Sequence, residues 1–189
     1  MTGASMHALT RTLLAVLMAA PLAASAAPLK TDPAKSSVSA VFKQMNVPVE
    51  SSFKKFVAQI DYDPAKPELS KANVQIDTAS LDLGGDEMNK EVAKKDWFNS
   101  AQYPKASFVS TAIKAGAAGK LNVSGKLTIK GKTTDVAFPM TVKNDGARQV
   151  FEGALPIKRL TYAIGEGEWK DTSLVADEVV IKFRVTAGK

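Results

Sequence analysis

The chain has 189 residues, with 25 Lys and Arg against 19 Asp and Glu, one histidine and no cysteine. The histidine, His7, lies in what reads as a removable leader, so the working chain is expected to hold neither Cys nor His. That excludes disulfides, thiolate nucleophiles, Cys/His zinc sites, c-type haem attachment and histidine general bases together. What remains must act through carboxylates, lysines, hydroxyls and apolar surface.

The first element is the leader, over residues 1–26. It carries one formal charge, Arg11, then the apolar run LLAVLMAA over 13–20. The small residues Ala24-Ser25-Ala26 are ones a signal peptidase accepts, with Ala27 as the expected first mature residue. The run is too short for a hydrocarbon core that takes roughly 20 apolar residues, so no transmembrane segment is expected. Export to the periplasm is the reading that follows. Residues 27–189 then suit one domain with a sizeable core. An exported chain without Cys must take its stability from packing and sheet hydrogen bonds, which favours a barrel or sandwich.

Beyond the leader the dominant signal is period-2 alternation, which sends successive side chains to opposite faces of a strand. Eight stretches carry it: 38–45, 56–62, 73–77, 106–113, 121–129, 136–142, 150–157 and 179–185. The split is cleanest at 121–129, where Leu121, Val123, Leu127 and Ile129 oppose Asn122, Ser124, Lys126 and Thr128. Lys130-Gly131 and Asn144-Asp145-Gly146 are tight-turn signals. Pro139 and Pro156 push their strands toward edge or bulge positions. Strands with one apolar face, joined by short turns, indicate an antiparallel sheet that closes on that face.

Two segments break the alternation. After Gly84-Gly85, residues 87–98 place Met88, Val92, Ala93 and Trp97 at roughly helical spacing, with Asp86 as the expected N-cap of one short helix. The other is an irregular stretch over about 159–173 that contains Gly165, Gly167 and Trp169. It is long for a barrel loop, and such loops are often functional. The tetrapeptide Asp-Pro-Ala-Lys occurs at 32–35 and at 63–66, but its neighbours do not match; turn chemistry explains both copies.

Enzyme motifs fare poorly. Two S-x-x-K matches over 51–55 open a strand, where such positions face opposite ways, and their partner motifs are lacking. Residues 125–133 hold a glycine-rich string with one residue too many for a phosphate loop and no helix to follow. Asp61, Asp63, Asp82, Asp86, Glu166 and Asp171 would have to converge on one point to make an oxygen-ligand metal hydrolase. After the leader come 21 lysines and three arginines, the lysines scattered. This suits a solvated surface and argues against nucleic acid, which favours Arg forks.

The aromatics say more. Phe42, Phe56, Tyr62, Phe108, Phe138, Phe151 and Phe183 all fall in strand candidates, among small interior candidates Ala40, Ala58, Ser110, Ala112 and Gly153. An eight-stranded barrel either fills with side chains or holds one ligand, and small interior residues leave volume.

Several strings together resemble the YceI-like family of exported lipid- or polyisoprenoid-binding proteins. They are Ser37 to Lys43, Phe53-Lys54-Lys55-Phe56, Val74 to Leu81, and Asp96-Trp97-Phe98 followed by Tyr103 to Phe108. Gly125 to Gly131 and Leu155 to Arg159 complete the set. The chain departs from the family habit at Gln44-Met45-Asn46 and at Ser52, both near a first-hairpin loop. The resemblance implies an all-β, lipocalin-like antiparallel eight-stranded β-barrel with one short helix, following a signal peptide. It implies an apolar tunnel for an isoprenoid or fatty lipid, with no catalytic residue, metal or cofactor.

Expected cavity walls are Phe42, Phe56, Ile60, Ile76, Phe108, Leu127, Phe138 and Phe183. Lys158, Arg159 and Trp169, at the irregular segment, are candidates for a polar head group. A homodimer is an allowed assembly. The competing reading is a stress-related interaction protein with a filled barrel and no ligand.

Overall fold

The computed structural model describes residues 28–188. The expected leader lies outside them. Among the described residues eleven strands occur in chain order, beginning with β1 (Lys30–Thr31), β2 (Ser37–Gln44), β3 (Val47–Phe53), β4 (Phe56–Asp61), β5 (Lys71–Asp77) and β6 (Leu81–Asp82). A helix, α1 (Asp86–Val92), precedes β7 (Lys105–Ala115), β8 (Leu121–Ile129), β9 (Lys132–Asp145), β10 (Arg148–Lys158) and β11 (Val175–Gly188).

Every pairing is antiparallel, in the order β4-β5-β7-β8-β9-β10-β11-β2-β3-β6, with β1 added beside β11. β6 follows β5 after a single 3-10 turn, Thr78–Ser80, so the two ends of the sheet meet on one continuous segment. This curls the sheet into a barrel.

The expected all-β antiparallel barrel with one short helix is the fold found. The strand count rises from eight to eleven because the two-residue strands β1 and β6 add to β11 and β3, and because residues 47–53 also pair, residue for residue with β2. Pro48, Glu50, Ser51 and Ser52 hide that strand from a hydrophobicity pattern. Ser51 takes an inward position and is buried, and Glu50 accepts from Ser39 Oγ at 2.7 Å. The helix is shorter than expected, and its N-cap is Gly85 rather than Asp86. Gly84 at φ 85° turns the chain early, which moves Asp86 and Glu87 into the first turn, where the helix dipole favours acids.

The turns follow their chemistry. Lys130-Gly131 joins β8 to β9 with both residues at positive φ, as a type I′ turn requires. Met45-Asn46 does the same between β2 and β3 without a glycine. Each Asp-Pro-Ala-Lys copy forms a turn in which the aspartate accepts from the alanine N–H, at 3.1 Å for Asp32 and 2.9 Å for Asp63.

Two irregularities shape the interior. In β7 the register shifts between Ser110 and Ala112. Parity therefore reverses, and Ile113, only 2% exposed, takes the core position that unbroken alternation assigns to Ala112. The β9–β10 ladder runs only from Arg148↔Asp145 to Gly153↔Met140, and beyond it the two strands part. Pro139 and Pro156 both lie in the parted stretch, so neither sits at an outer edge and neither interrupts that ladder. The segment after β10 fills the seam. Tyr162, 2% exposed, hydrogen-bonds Thr134 Oγ1 on β9 through its hydroxyl.

Candidate functional site

The two ends of the barrel differ. At one end aromatic rings fill the bore: Tyr62 meets Phe151 edge-on at 5.4 Å, and Phe138 lies 5.5 Å from both Phe108 and Phe183. Glycines let these rings sit close to the wall. A Cβ at Gly125 would meet Phe108 at 2.4 Å, and one at Gly153 would meet Phe183 at 2.4 Å.

The other end holds an apolar cavity of about 180 Å³. Its walls come from the inward positions of several strands: Ala40 and Phe42 of β2, Ile76 of β5, Leu127 and Ile129 of β8, and Ile181 of β11. Its cap comes from α1 with the turn after it (Val92, Trp97, Phe98) and from the 159–175 segment (Arg159, Ile164, Trp169). The volume is of the order of the ~150 Å³ apolar cavity known to bind benzene, so it can house a short apolar segment.

Of the expected walls, Phe42, Ile76 and Leu127 line this cavity. Phe108, Phe138 and Phe183 are in the aromatic plug instead. Ile60 is buried beside Leu29, whose N–H donates to its carbonyl at 2.8 Å. Phe56 pairs with Ile76 across β4 and β5 but lines a separate surface groove. Alternation assigns faces, and all these residues share a face. It does not say which end of the bore is hollow.

The head-group candidates separate as well. Lys158 is exposed on the outer face, opposite Glu178 of β11. Trp169 and Arg159 line the cavity. Arg159 is 2% exposed and spends its guanidinium on five backbone carbonyls. Nε donates to Ala176 at 3.0 Å. Nη1 donates to Ile164 and Gly165 at 2.8 and 3.1 Å, and Nη2 to Trp169 and Val175 at 2.7 and 2.6 Å. All five N–H groups are thereby used. The arginine is a keystone that folds the irregular segment around itself, and it has no N–H left for a ligand. Burial pushes its pKa down and the charge of Asp177 opposes that; an arginine stays protonated regardless.

Lys130 fastens the two parts of the cap. Its side chain is buried, and Nζ donates to Lys95 O and Ala163 O at 2.7 Å each and to Glu166 Oε2 at 2.9 Å. The backbone N–H groups of Gly165 and Glu166 both reach Asp96 O at 2.8 Å. The Lys130 hydrogen bond holds the Glu166 carboxyl below its usual pKa.

The residue that pattern reading missed is Trp97. It packs between Arg159, whose guanidinium carbon lies 5.9 Å from its ring centre, and Trp169, with ring centres 5.4 Å apart. Its Nε1–H is buried and has no hydrogen-bond partner among the described residues. Leaving such a donor bare costs about 1–3 kcal/mol. The helical spacing of Met88, Val92 and Trp97 signals a buried face, but nothing in that spacing says that the face closes a cavity. Among the described residues no group of three or more acidic, Cys or His side chains could hold a metal ion. No helix among them is long and apolar enough to cross a membrane.

Comparison with known proteins places this architecture. The crystal structure of BcnA from Burkholderia cenocepacia is 57% identical with a TM-score of 0.82, over 84% of this chain and 99% of that one. A domain from Saccharophagus degradans, described as polyisoprenoid binding and implicated in plant cell wall breakdown, has a TM-score of 0.65. It covers 86% of this chain and 98% of its own, and at 20% identity it speaks for the fold alone. A UPF0312 protein of Pseudomonas savastanoi pv. phaseolicola is 38% identical over 98 residues, which are 52% of this chain and 51% of that protein. The chain thus spans about half the length of the curated relatives it matches. The model of the YceI-like domain matches residues 29–187, nearly all of the barrel and its cap, and the chain belongs to that family.

Proposed function

We propose that this is an exported, non-enzymatic protein that binds or carries an amphiphilic lipid, an isoprenoid or a fatty chain, in the open end of its barrel. The observation that carries the reading is the apolar cavity behind a cap pinned by Arg159 and Lys130. Its walls are aliphatic and aromatic side chains, which reward an apolar chain at about 0.8 kcal/mol per buried CH₂ before ordering costs. The aromatic plug stops the chain, so its length inside is set by the distance from cap to plug. The polyisoprenoid-binding description of the Saccharophagus degradans domain supports the same ligand class. Export to the periplasm is part of the proposal and rests on the leader-like residues 1–26.

The test is mass spectrometry of the solvent extract from protein purified without detergent from its native host. A stoichiometric isoprenoid or fatty lipid is expected. An extract free of lipid, from protein that also binds no isoprenoid probe, would refute the reading and favour an interaction protein with an unliganded barrel.

A further inference from the structure

We propose that the rim of the cavity mouth docks on a zwitterionic lipid bilayer, with the tip of the β2–β3 hairpin, Met88 and Leu174 inserting their side chains into it. This deepens the proposed function and rests on it.

Among the described residues seven large apolar side chains are exposed, and four of them belong to this rim. Met45 and Val47, 68% and 62% exposed, form the tip of the β2–β3 hairpin. Leu174 joins them, because the Met45 N–H donates to its carbonyl at 2.8 Å. Met88 comes from α1 and lines the cavity together with Gln44, the last residue of β2. Contiguous exposed apolar groups of this kind mark a contact with a partner or a membrane.

The rim continues the cavity wall. Val47 pairs with Gln44 and Val49 with Phe42. Directly paired residues share a face of the sheet, and Phe42 and Gln44 line the cavity. The inward face of the sheet therefore runs on to Val47, past the end of the bore. A valine on that face is ordinarily covered, yet here it is bare.

Three features favour a bilayer as the cover. The cavity of about 180 Å³ houses only a short apolar segment, so the rest of a longer chain must lie in an apolar medium outside the mouth. A bilayer is that medium, and a chain can then pass into the cavity without exposing its methylenes to water. The exposed charges near the rim are of both signs, Lys43, Lys90 and Lys170 against Asp86, Glu87 and Asp171. Such a mixture steers neither a partner of one charge nor an anionic membrane, and it suits a zwitterionic surface. Finally, the apolar groups sit on three separate elements, and two are methionines, which adapt readily to a fluid surface.

The chain has no cysteine, so each introduced thiol takes a label alone. V47C and A147C variants carry an environment-sensitive nitrobenzoxadiazole label and are mixed with phosphatidylcholine vesicles. Ala147 is exposed next to Arg148, which pairs with Gly188 at the opposite end of the barrel. The V47C label is expected to shift to the blue and brighten severalfold, and to keep that response at about 0.5 M salt. The A147C label should not respond. Residues 1–27 enter the barrel at the Ala147 end, through β1 beside Gly188, so membrane contact made by the leader would appear at A147C instead.

The unlabelled M45N/V47T variant tests the side chains themselves. Asn accepts the left-handed backbone at Met45, φ 46°, and Thr keeps the branched strand shape, so the melting temperature should hold. Its co-sedimentation with the vesicles should fall by about tenfold. A silent V47C label, a response at A147C alone, or undiminished sedimentation of M45N/V47T overturns the proposal. So does binding only to vesicles containing phosphatidylglycerol and only at low salt, which would assign the contact to lysines. A dimer in light scattering that shifts the V47C label without vesicles would give the rim to a second copy and overturn it too. Wild type that binds a soluble fluorescent fatty-chain probe but no vesicle overturns this inference alone; wild type that binds neither overturns the lipid-binding reading with it.

Discussion

Lys130 Nζ and Glu166 Oε2 lie 2.9 Å apart, and through this pair the tip of the β8–β9 hairpin holds the 159–175 segment over the cavity. The lysine side chain is buried and the glutamate half-exposed. The pair makes the cap sensitive to acid. Glu166 has a lowered pKa in the fold, first because of the Lys130 hydrogen bond and then because of the Lys130 charge. A depressed carboxylate contributes stability that is fully present above its unfolded value, about 4.3. That contribution is lost as pH falls through the folded value.

The cap should therefore loosen below about pH 4. Trp97 and Trp169, both in the cap, report this in their fluorescence. Glu50, Asp82, Glu152 and Asp171 are also lowered by their hydrogen bonds, so overall stability falls in the same window. The part that belongs to the cap is the difference between wild type and E166Q. E166Q should lack the acid step and resemble acidified wild type at neutral pH. An identical tryptophan titration in both proteins would show that the pair does not hold the cap.

Replacing Arg159 tests the keystone. R159M removes five donors and leaves their carbonyls to find water inside the cap. A loss of about 3 kcal/mol or more in urea unfolding is expected. R159K keeps the charge but offers three donors for five carbonyls, so its loss should fall between wild type and R159M. A loss under about 1 kcal/mol for R159M would mean that the segment folds without its arginine.

Filling the cavity separates binding from stability. Ala40 faces the hollow end, so A40F places a ring in the space proposed for the ligand. Affinity for a fluorescent fatty-chain probe should drop by about tenfold or more, while the melting temperature holds or rises, since a void is being filled. An unchanged probe affinity would put the ligand elsewhere.

The plugged end should respond in the opposite sense. A Cβ at Gly125 meets two atoms of the Phe108 ring at 2.4 and 2.5 Å and the Val109 carbonyl at 2.5 Å. Neither the ring nor the backbone can give way cheaply. G125A is expected to cost about 1–3 kcal/mol in chemical denaturation. Its effect on probe binding should be smaller than that of A40F, because Phe108 does not line the cavity.

How far the site could be read from sequence is visible residue by residue. Phe42, Ile76 and Leu127 line the cavity and carry a plain alternation signal. Phe138 and Phe183 carry the same signal and fill the plug. Val92 and Trp97 had helical spacing, which marks a buried face without naming what lies beneath it. Ser51 sits buried in a strand whose polar residues concealed it.

By itself the sequence determined the faces, the turns and the excluded chemistries. Period-2 alternation is a local consequence of strand geometry, Lys130-Gly131 is a local turn, and the lack of Cys is composition. Tertiary structure alone decided which end of the bore stays open, and it did so through long-range terms. The β7 bulge reverses parity halfway along the strand. The parting of β9 and β10 opens a seam that Tyr162 must fill. The wrapping of the 159–175 segment turns Arg159 from a candidate head-group ligand into a structural core and leaves Trp97 as the bare donor. These outcomes depend on how the sheet closes and on what packs across it, which no stretch of neighbouring residues encodes.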